Sequence, residues 1–491
     1  MSRIFNPEIF REYDIRGVAE RDLTSSSVEV LGRAFAEYLR TKDIKSATVG
    51  YDARLSSPRL RDSLCRGLTE AEITVTDIGL CPTPALYFSL FQMNPGAGIM
   101  ITGSHNPPEF NGFKLCVAKD TIYGEEIQKI KKIAEEIAKT ARSSWITGRE
   151  AKDDELRAAS YEHKLTRHPI LPDYISHLKH AFPHYRNVPL KVVIDGGNGT
   201  AGLAAPEIIR SMGCEVIELF SEPDGSFPNH HPDPTIPENL EVLIKTVGRN
   251  KADFGIAFDG DADRIGVVDE EGSILWGDHL MVIFAREILK ERPGATIVSE
   301  VKCSQVMYDD IRTHGGNAIM WKAGHSLIKA KMKETGAIFG GEMSGHLFFA
   351  DRYFGYDDAI YAACRLVEIL KKLKSHDTNT KLRSLLADLP KTFNTPEIRI
   401  DCPDNIKFAV VDRIKEVFMG RSDIPIQPKE VITVDGIRAI FDNGWGLIRA
   451  SNTQPVLVMR FEASDSSTLE AIKTTMEKKV KEVIVDIQHR D

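Results

Sequence analysis

Short runs of β-branched and aliphatic residues recur along the chain, each ending on a small or reactive side chain. They fall at 47–52 (ATVGYD), 98–104 (GIMITGS), 191–196 (KVVIDG), 254–259 (FGIAFD), 296–302 (TIVSEVK) and 337–342 (AIFGGE). Segments of helical period lie between them, so the pattern predicts alternating strands and helices, the signature of α/β domains. The clearest helix is 125–141. There Ile127, Ile130, Ile133, Ala134, Ile137 and Ala141 share one face, and the Lys and Glu residues fall elsewhere. The polar stretch 142–157 after it reads as a first linker.

The last hundred residues follow a different rule. Residues 431–440 (VITVDGIRAI) predict two strands around an Asp-Gly turn, and 442–444 predicts the next turn. A strand at 456–461 and an amphipathic helix near 469–483 close the chain. This is a smaller α+β domain with an antiparallel sheet. The partition expected is 1–152, 153–272, 273–388 and 389–491: three α/β domains with mixed sheets, then the α+β domain. Ser104, Asp259, Lys302 and Glu342 each follow the carboxyl end of a predicted strand, where open α/β sheets bind ligands. Four such residues on four strands point to one central cleft shared by several domains.

Composition narrows the classes. A chain of 491 residues predicts three or four domains and buries several cores without disulfides. Its seven cysteines are odd in number and scattered, with no zinc spacing, which fits a reducing cytoplasm. The start lacks a basic segment followed by an apolar one, so no secretory signal is expected. The most apolar stretch, 359–370, is too short and too charged to span a bilayer. Sixty-three Lys and Arg against 71 Asp and Glu give a net charge of −8. With no basic run carrying interleaved aromatics, neither nucleic acid nor a membrane is an expected partner. No feature sets an oligomeric state.

Four motifs carry candidate chemistry. In 102–107 (TGSHNP), Ser104 sits on an exposed turn after a strand, as an activated nucleophile would. A plain turn with Ser104 or Asn106 capping fits the same residues. In 259–264 (DGDADR), three carboxylates alternate to one side of what reads as an extended loop, about 6.6–7 Å apart per pair before the loop curves. Such oxygen donors suit Mg²⁺ or Ca²⁺. An EF-hand is excluded because Arg264 stands where its glycine is required and the flanks read as strands. Arg264 also suits a phosphate held beside the metal. In 341–346 (GEMSGH), Glu342 and Ser344 can bond vicinal hydroxyls, and His346 can orient substrate or exchange a proton. A Gly-bounded turn with a satisfied histidine explains that motif equally, and Gly324-His325-Ser326 shares the ambiguity. In 449–453 (RASNT), a guanidinium, two hydroxyls and an amide suit a phosphate that is held but not reacted, or else a hydrophilic hairpin loop.

In this order and spacing, together with 11–17 (REYDIRG), the motifs resemble the α-D-phosphohexomutase superfamily, and within it the bacterial phosphomannomutase/phosphoglucomutase group. The likeness runs nearly end to end. It implies four domains around a central cleft, the fourth a mobile lid. It also implies a mutase that moves phosphate between C1 and C6 of a hexose through a phosphoserine at Ser104 and a hexose 1,6-bisphosphate. Asp259, Asp261 and Asp263, with the seryl phosphate, would bind Mg²⁺. Arg16, Lys114, Arg264, Lys302 and His325 would line the reacting centre, with His346 beside them. Tyr13, Gly324, Glu342 and Ser344 would meet the sugar, and Arg449, Ser451, Asn452 and Thr453 the distant phosphate. Glucose 1,6-bisphosphate would serve as activator and hexose phosphates as the small-molecule partners. The alternatives are a phosphoglucosamine-type mutase, against which Met343 counts because those enzymes typically carry Gln there, a phosphatase, or a non-catalytic sugar-phosphate-binding protein.

Overall fold

The computed structural model describes residues 6–146, 164–182, 188–420, 424–451 and 454–488. The chain divides into two compact units, one of residues 1–277, 344–349 and 356–385, the other of 278–343, 350–355 and 386–491.

The first unit holds two sheets. One has the order Ile15–Val18, Phe110–Val117, Ala97–Ile101, Ser46–Tyr51, Thr74–Leu80, Leu165–Arg167. Its last four strands are parallel, and Phe110–Val117 runs antiparallel to both of its neighbours. The central strand Ala97–Ile101 is buried at every position, which explains its unbroken apolar run. Helix Glu125–Ile146 starts with Glu125 and Glu126 at its positive end and buries Ile127, Ile130, Ala134 and Ala138. It extends beyond the predicted 141 because no Gly or Pro interrupts the sequence before Gly148. Residues 142–146 of the expected linker are therefore helical, and 147–157 lie outside the described residues.

The other sheet of this unit orders Ile274–Leu275, Ile265–Asp269, Phe254–Phe258, Lys191–Asp195 and Glu215–Leu219. Its last three strands are parallel and the first two antiparallel additions. Helix Ala359–Lys374 belongs to the same unit. Asp358 caps it by accepting from Tyr361 N at 2.8 Å, and Lys371, Lys372 and Lys374 sit at its negative end.

In the second unit, Asn317–Trp321, Thr296–Glu300 and Phe339–Gly341 pair in parallel. The C-terminal sheet is antiparallel throughout, in the order Phe393–Asn394, Val456–Ala463, Gly444–Ala450, Ile437–Phe441, Glu430–Ile432. The Asp-Gly turn is where the sequence predicts it, with Gly436 at φ +74°. One face of this sheet packs on helices Lys407–Gly420 and Ser466–Gln488. On its other face Trp445 and Leu447 pack with Val301. The architecture is thus three α/β domains followed by an α+β domain. Among the described residues no helix is long and apolar enough to cross a membrane.

Candidate active site

In the first unit, the loop after Ala97–Ile101 turns sharply. Ser104 sits in left-handed backbone, φ +48°, uncommon for a residue with a side chain. Arg54, fully buried, holds the loop there: it donates to the carbonyls of Ser104, Asn106, Pro107 and Phe110 at 2.5–2.8 Å. Its own charge is met by Asp52, which also accepts from Gly103 N. Ser104 is 3% exposed, and its Oγ donates to Asp259 Oδ2 at 2.8 Å. His105 Nδ1 lies 3.1 Å from the same oxygen. Burial, then the cations Arg264 and Arg16, hold the His105 imidazole well below its ordinary pKa, so it is neutral.

Asp259, Asp261 and Asp263 follow the buried strand Phe254–Phe258. Ala262 takes φ +59° and the loop curls, so that one carboxylate oxygen of each residue comes within 4.8 Å of the others. Curling also lets Asp259 Oδ1 accept from the N–H groups of Asp263 and Arg264. Gly260 permits close passage: a Cβ there would lie 2.5 Å from the Ser104 carbonyl oxygen. Lys114 Nζ donates to Asp261 Oδ2 at 2.7 Å and to Asp263, and Thr83 Oγ1 donates to Asp261 at 2.5 Å.

Three carboxylates and one ammonium leave the cluster short of positive charge. Burial, then Asp263 and Asp261, push Asp259 well above the carboxylate range. Burial would raise Asp261 too, but Lys114 and Thr83 hold it low. Lys114 is pushed up, because the four neighbouring aspartates outweigh its desolvation. Among the described residues no hydrogen-bond partner reaches Asp261 Oδ1, a buried oxygen. Convergent carboxylates with a buried, unbonded oxygen fit a hard divalent cation.

His346 is buried above this loop, whose Ile265 N donates to Gly345 O at 3.1 Å. Arg264 Nε donates to His346 Nε2 at 2.9 Å, which places the ring proton on Nδ1. That nitrogen faces Asp263 at 3.5 Å and Asp357 at 3.3 Å. Asp263, His346 and Asp357 also converge closely enough for a metal, and the Arg264 bond to Nε2 leaves Nδ1 as the ring nitrogen facing the two carboxylates. Arg16 joins through Asn106, whose Oδ1 it reaches at 2.9 Å. Tyr13 and Ser344 are half-buried in the same unit.

The second unit carries the remaining residues. Lys302 follows strand Thr296–Glu300, with its Nζ 3.6 Å from Glu300 and 3.4 Å from Glu397. Glu342 Oε1 accepts from Gly324 N at 2.6 Å. Gly324, at φ +134°, opens helix His325–Thr335, with His325 as its first residue. Arg449 Nε and Ala323 N both donate to Asp435 Oδ2, at 2.9 and 3.0 Å. Ser451 Oγ accepts from Gln454 N, whereas Asn452 and Thr453 lie outside the described residues.

Sequence reading passed over Arg54, Thr83, His105, Asp357, Glu300 and Asp435. Only His105 lay inside a motif singled out for chemistry; the others become visible through contacts made across long sequence separations.

Comparison with known proteins agrees with the resemblance read from the motifs. Models of the phosphoglucomutase/phosphomannomutase alpha/beta/alpha domains I, II and III match residues 7–141, 172–272 and 276–393, and that of the C-terminal domain matches 397–479. A phosphomannomutase/phosphoglucomutase of Pseudomonas putida is 43% identical over 98% of this chain and 97% of its own. A phosphoglucomutase of Neisseria gonorrhoeae is 41% identical over 95% of each. The crystal structure of a phosphoglucomutase/phosphomannomutase family protein from Burkholderia thailandensis superposes with a TM-score of 0.84 at 37% identity, covering 98% of both chains.

Proposed function

The chain belongs to the phosphoglucomutase/phosphomannomutase family, and from that premise we infer that it interconverts hexose 1-phosphates and hexose 6-phosphates, accepting both mannose and glucose. The observation that carries this reading is the hydrogen bond from Ser104 Oγ to Asp259, inside three converging aspartates. It sets a nucleophile against a cation site, which a mere binding protein does not need.

Ser104 carries a phosphoryl group. A sugar hydroxyl attacks the phosphorus, the P–Oγ bond breaks as the new P–O bond forms, and the product is a hexose 1,6-bisphosphate. The sugar then reverses and its other phosphate returns to Ser104 Oγ by the same exchange. Asp259, Asp261 and Asp263, with the seryl phosphate, would hold Mg²⁺, which would supply Lewis-acid neutralisation of the transferring oxygens. His105 Nδ1, neutral and 3.1 Å from Ser104 Oγ, is placed to hydrogen-bond that oxygen as the P–Oγ bond breaks, and the proton the sugar hydroxyl gives up is balanced by the one Oγ gains. Lys114 is not a base here: its ammonium is pinned between two carboxylates and neutralises them.

Arg16, Arg264, Lys302, His325 and His346 supply the cations and hydrogen bonds around the transferring group. Tyr13, Gly324, Glu342 and Ser344 read the sugar, and Arg449, Ser451, Asn452 and Thr453 grip the phosphate that is not transferred. Glucose 1,6-bisphosphate acts as activator by phosphorylating Ser104. The four domains run 1–152, 153–272, 273–388 and 389–491. The seven cysteines, all buried and none in a disulfide, support a reducing cytoplasm as its compartment.

The test is ³¹P NMR with Mg²⁺, catalytic glucose 1,6-bisphosphate and, in separate tubes, mannose, glucose and N-acetylglucosamine 1-phosphates. The expected result is comparable conversion of the first two to 6-phosphates. Release of inorganic phosphate, or no change in any tube, overturns the reading.

A further inference from the structure

Glu300 has no part in the scheme above, yet it is the last residue of its strand and completely buried. Its Oε1 accepts from Met343 N at 2.9 Å and lies 3.6 Å from Lys302 Nζ. Met343 directly follows Glu342. One carboxylate thus ties together the backbone of the sugar loop and the ammonium assigned to the reacting centre. Among the described residues no hydrogen-bond partner reaches Oε2. A structural carboxylate of this kind makes little sense, because an ion desolvated on one side lowers stability unless its charge serves another end.

We propose that Glu300 is a positioning residue of the hexose-phosphate site, holding Glu342 through the Met343 amide and Lys302 through its ammonium, and doing so only when ionised. This rests on the functional reading above. Neutral Glu300 still accepts from Met343, but that bond loses its charge assistance and Lys302 is left to Glu397 alone. The groups that face Glu300 come from several elements. Lys302 and the Cys303 thiol lie on its own segment, the Tyr308 hydroxyl on the next helix, Glu342 on the sugar loop, and Arg449 on the C-terminal sheet. Burial first, and Glu342 with it, push the Glu300 pKa up to about 7 against the pull of Lys302 and Arg449. The positioning therefore switches near neutral pH.

Raising a carboxylate's pKa on folding also has a stability consequence. The unfolded group titrates near 4.5, so the folded protein loses stability as pH rises through the folded value. Removing the charge relieves that loss. An ordinary structural residue behaves in the opposite way, since its removal lowers stability and activity together.

The experiment compares wild type with Glu300→Gln, which keeps the volume and an acceptor for Met343 N. At about pH 8.5 the variant is expected to melt higher than wild type while kcat/KM falls roughly tenfold. The ratio of the two kcat/KM values converges toward one at about pH 6, and substrate ionisation cancels in that ratio. Glu397→Gln is the companion. Glu397 is held below the usual range by Lys302 and Arg399, although burial alone would raise it, so the effect of that variant does not change with pH over the same interval. A Glu300→Gln loss that is equal at both pH values, a lowered melting temperature, failure to fold, or no loss at all overturns the proposal. So does a pH-dependent ratio for Glu397→Gln. If wild type shows no mutase activity, the functional reading fails instead, and that outcome is visible in the first assay.

Discussion

Two clusters of buried charge, one in each unit, are built on opposite plans. Around Asp259, Asp261 and Asp263 the carboxylates crowd together, and a single ammonium, Lys114, stands among them. Around Lys302 and Arg449 each cation already has its own carboxylate: Glu300 and Glu397 for the first, Asp435 for the second. A ligand cation completes the first cluster. A ligand anion must compete with carboxylates already in place in the second. The first plan gives tight holding of a resident ion. Under the proposed function, the second gives pre-positioned cations to bind a phosphate and release it again, as a turnover in which the sugar reverses between two transfers requires.

The sharpest way to break this contrast is at the nucleophile. Ser104→Ala removes one hydrogen bond to Asp259 and the phosphoryl ligand, and should leave the fold and the three aspartates in place, while mutase turnover falls by at least about 10⁴-fold. Residual activity within tenfold of wild type, in the same ³¹P assay, would show that the carboxylate cluster acts without a serine. Lys114→Met is next. It strips from a fully buried acidic cluster the ammonium that bonds Asp261 and Asp263, and urea unfolding without metal should show a loss of about 3–5 kcal/mol. An unchanged midpoint would mean that the aspartates are already satisfied without it.

The metal comes third in size. Mg²⁺ that binds only the folded protein stabilises it by about 2.7 kcal/mol at a hundred times its Kd. Thermal unfolding of the chelator-treated protein should therefore move upward as Mg²⁺ is added, and Asp261→Asn should remove the movement. A wild type indifferent to Mg²⁺ would dissolve the distinction between the two clusters, because the acidic one would then need no completing ion.

Much of the scaffold was readable because strand and helix periods are local signals. The buried strands Ala97–Ile101 and Phe254–Phe258 are plain in the sequence, and so is the antiparallel character of the C-terminal domain. The carboxylate motif was readable as a cation site, but not its geometry: the alternation of Asp259, Asp261 and Asp263 reads as extended, and only Ala262 in left-handed backbone brings the three together. The supporting residues were unreadable for a different reason. Arg54 looks like an ordinary polar residue after a strand until it is found bonding carbonyls fifty positions away. Arg438 alternates with Ile437 and Ala439 as a solvent-facing residue would. Yet it is buried, lies 3.7 Å from the centre of the Trp445 ring, and donates to the carbonyls of Val301 and Cys303, because the second face of its sheet is covered as well. Pattern tells which residues share a face; it does not tell what covers that face.

The smallest effect tests the second cluster by itself. Asp435 accepts from Arg449 Nε and from Ala323 N with one oxygen, and so joins the arginine proposed to grip phosphate to the segment that leads into Gly324 and His325. Asp435→Asn keeps the shape but removes the charge, and a charge-assisted bond exchanged for a neutral one costs roughly 1 kcal/mol. If Arg449 holds a phosphate that does not react, that loss falls equally on bound substrate and transition state, so KM should rise about three- to tenfold with kcat unchanged. A fall in kcat matching the fall in kcat/KM would move Arg449 into the reacting centre. The second cluster would then be doing what the first does, stabilising charge as it moves, and the division of labour between the two units would have to be redrawn.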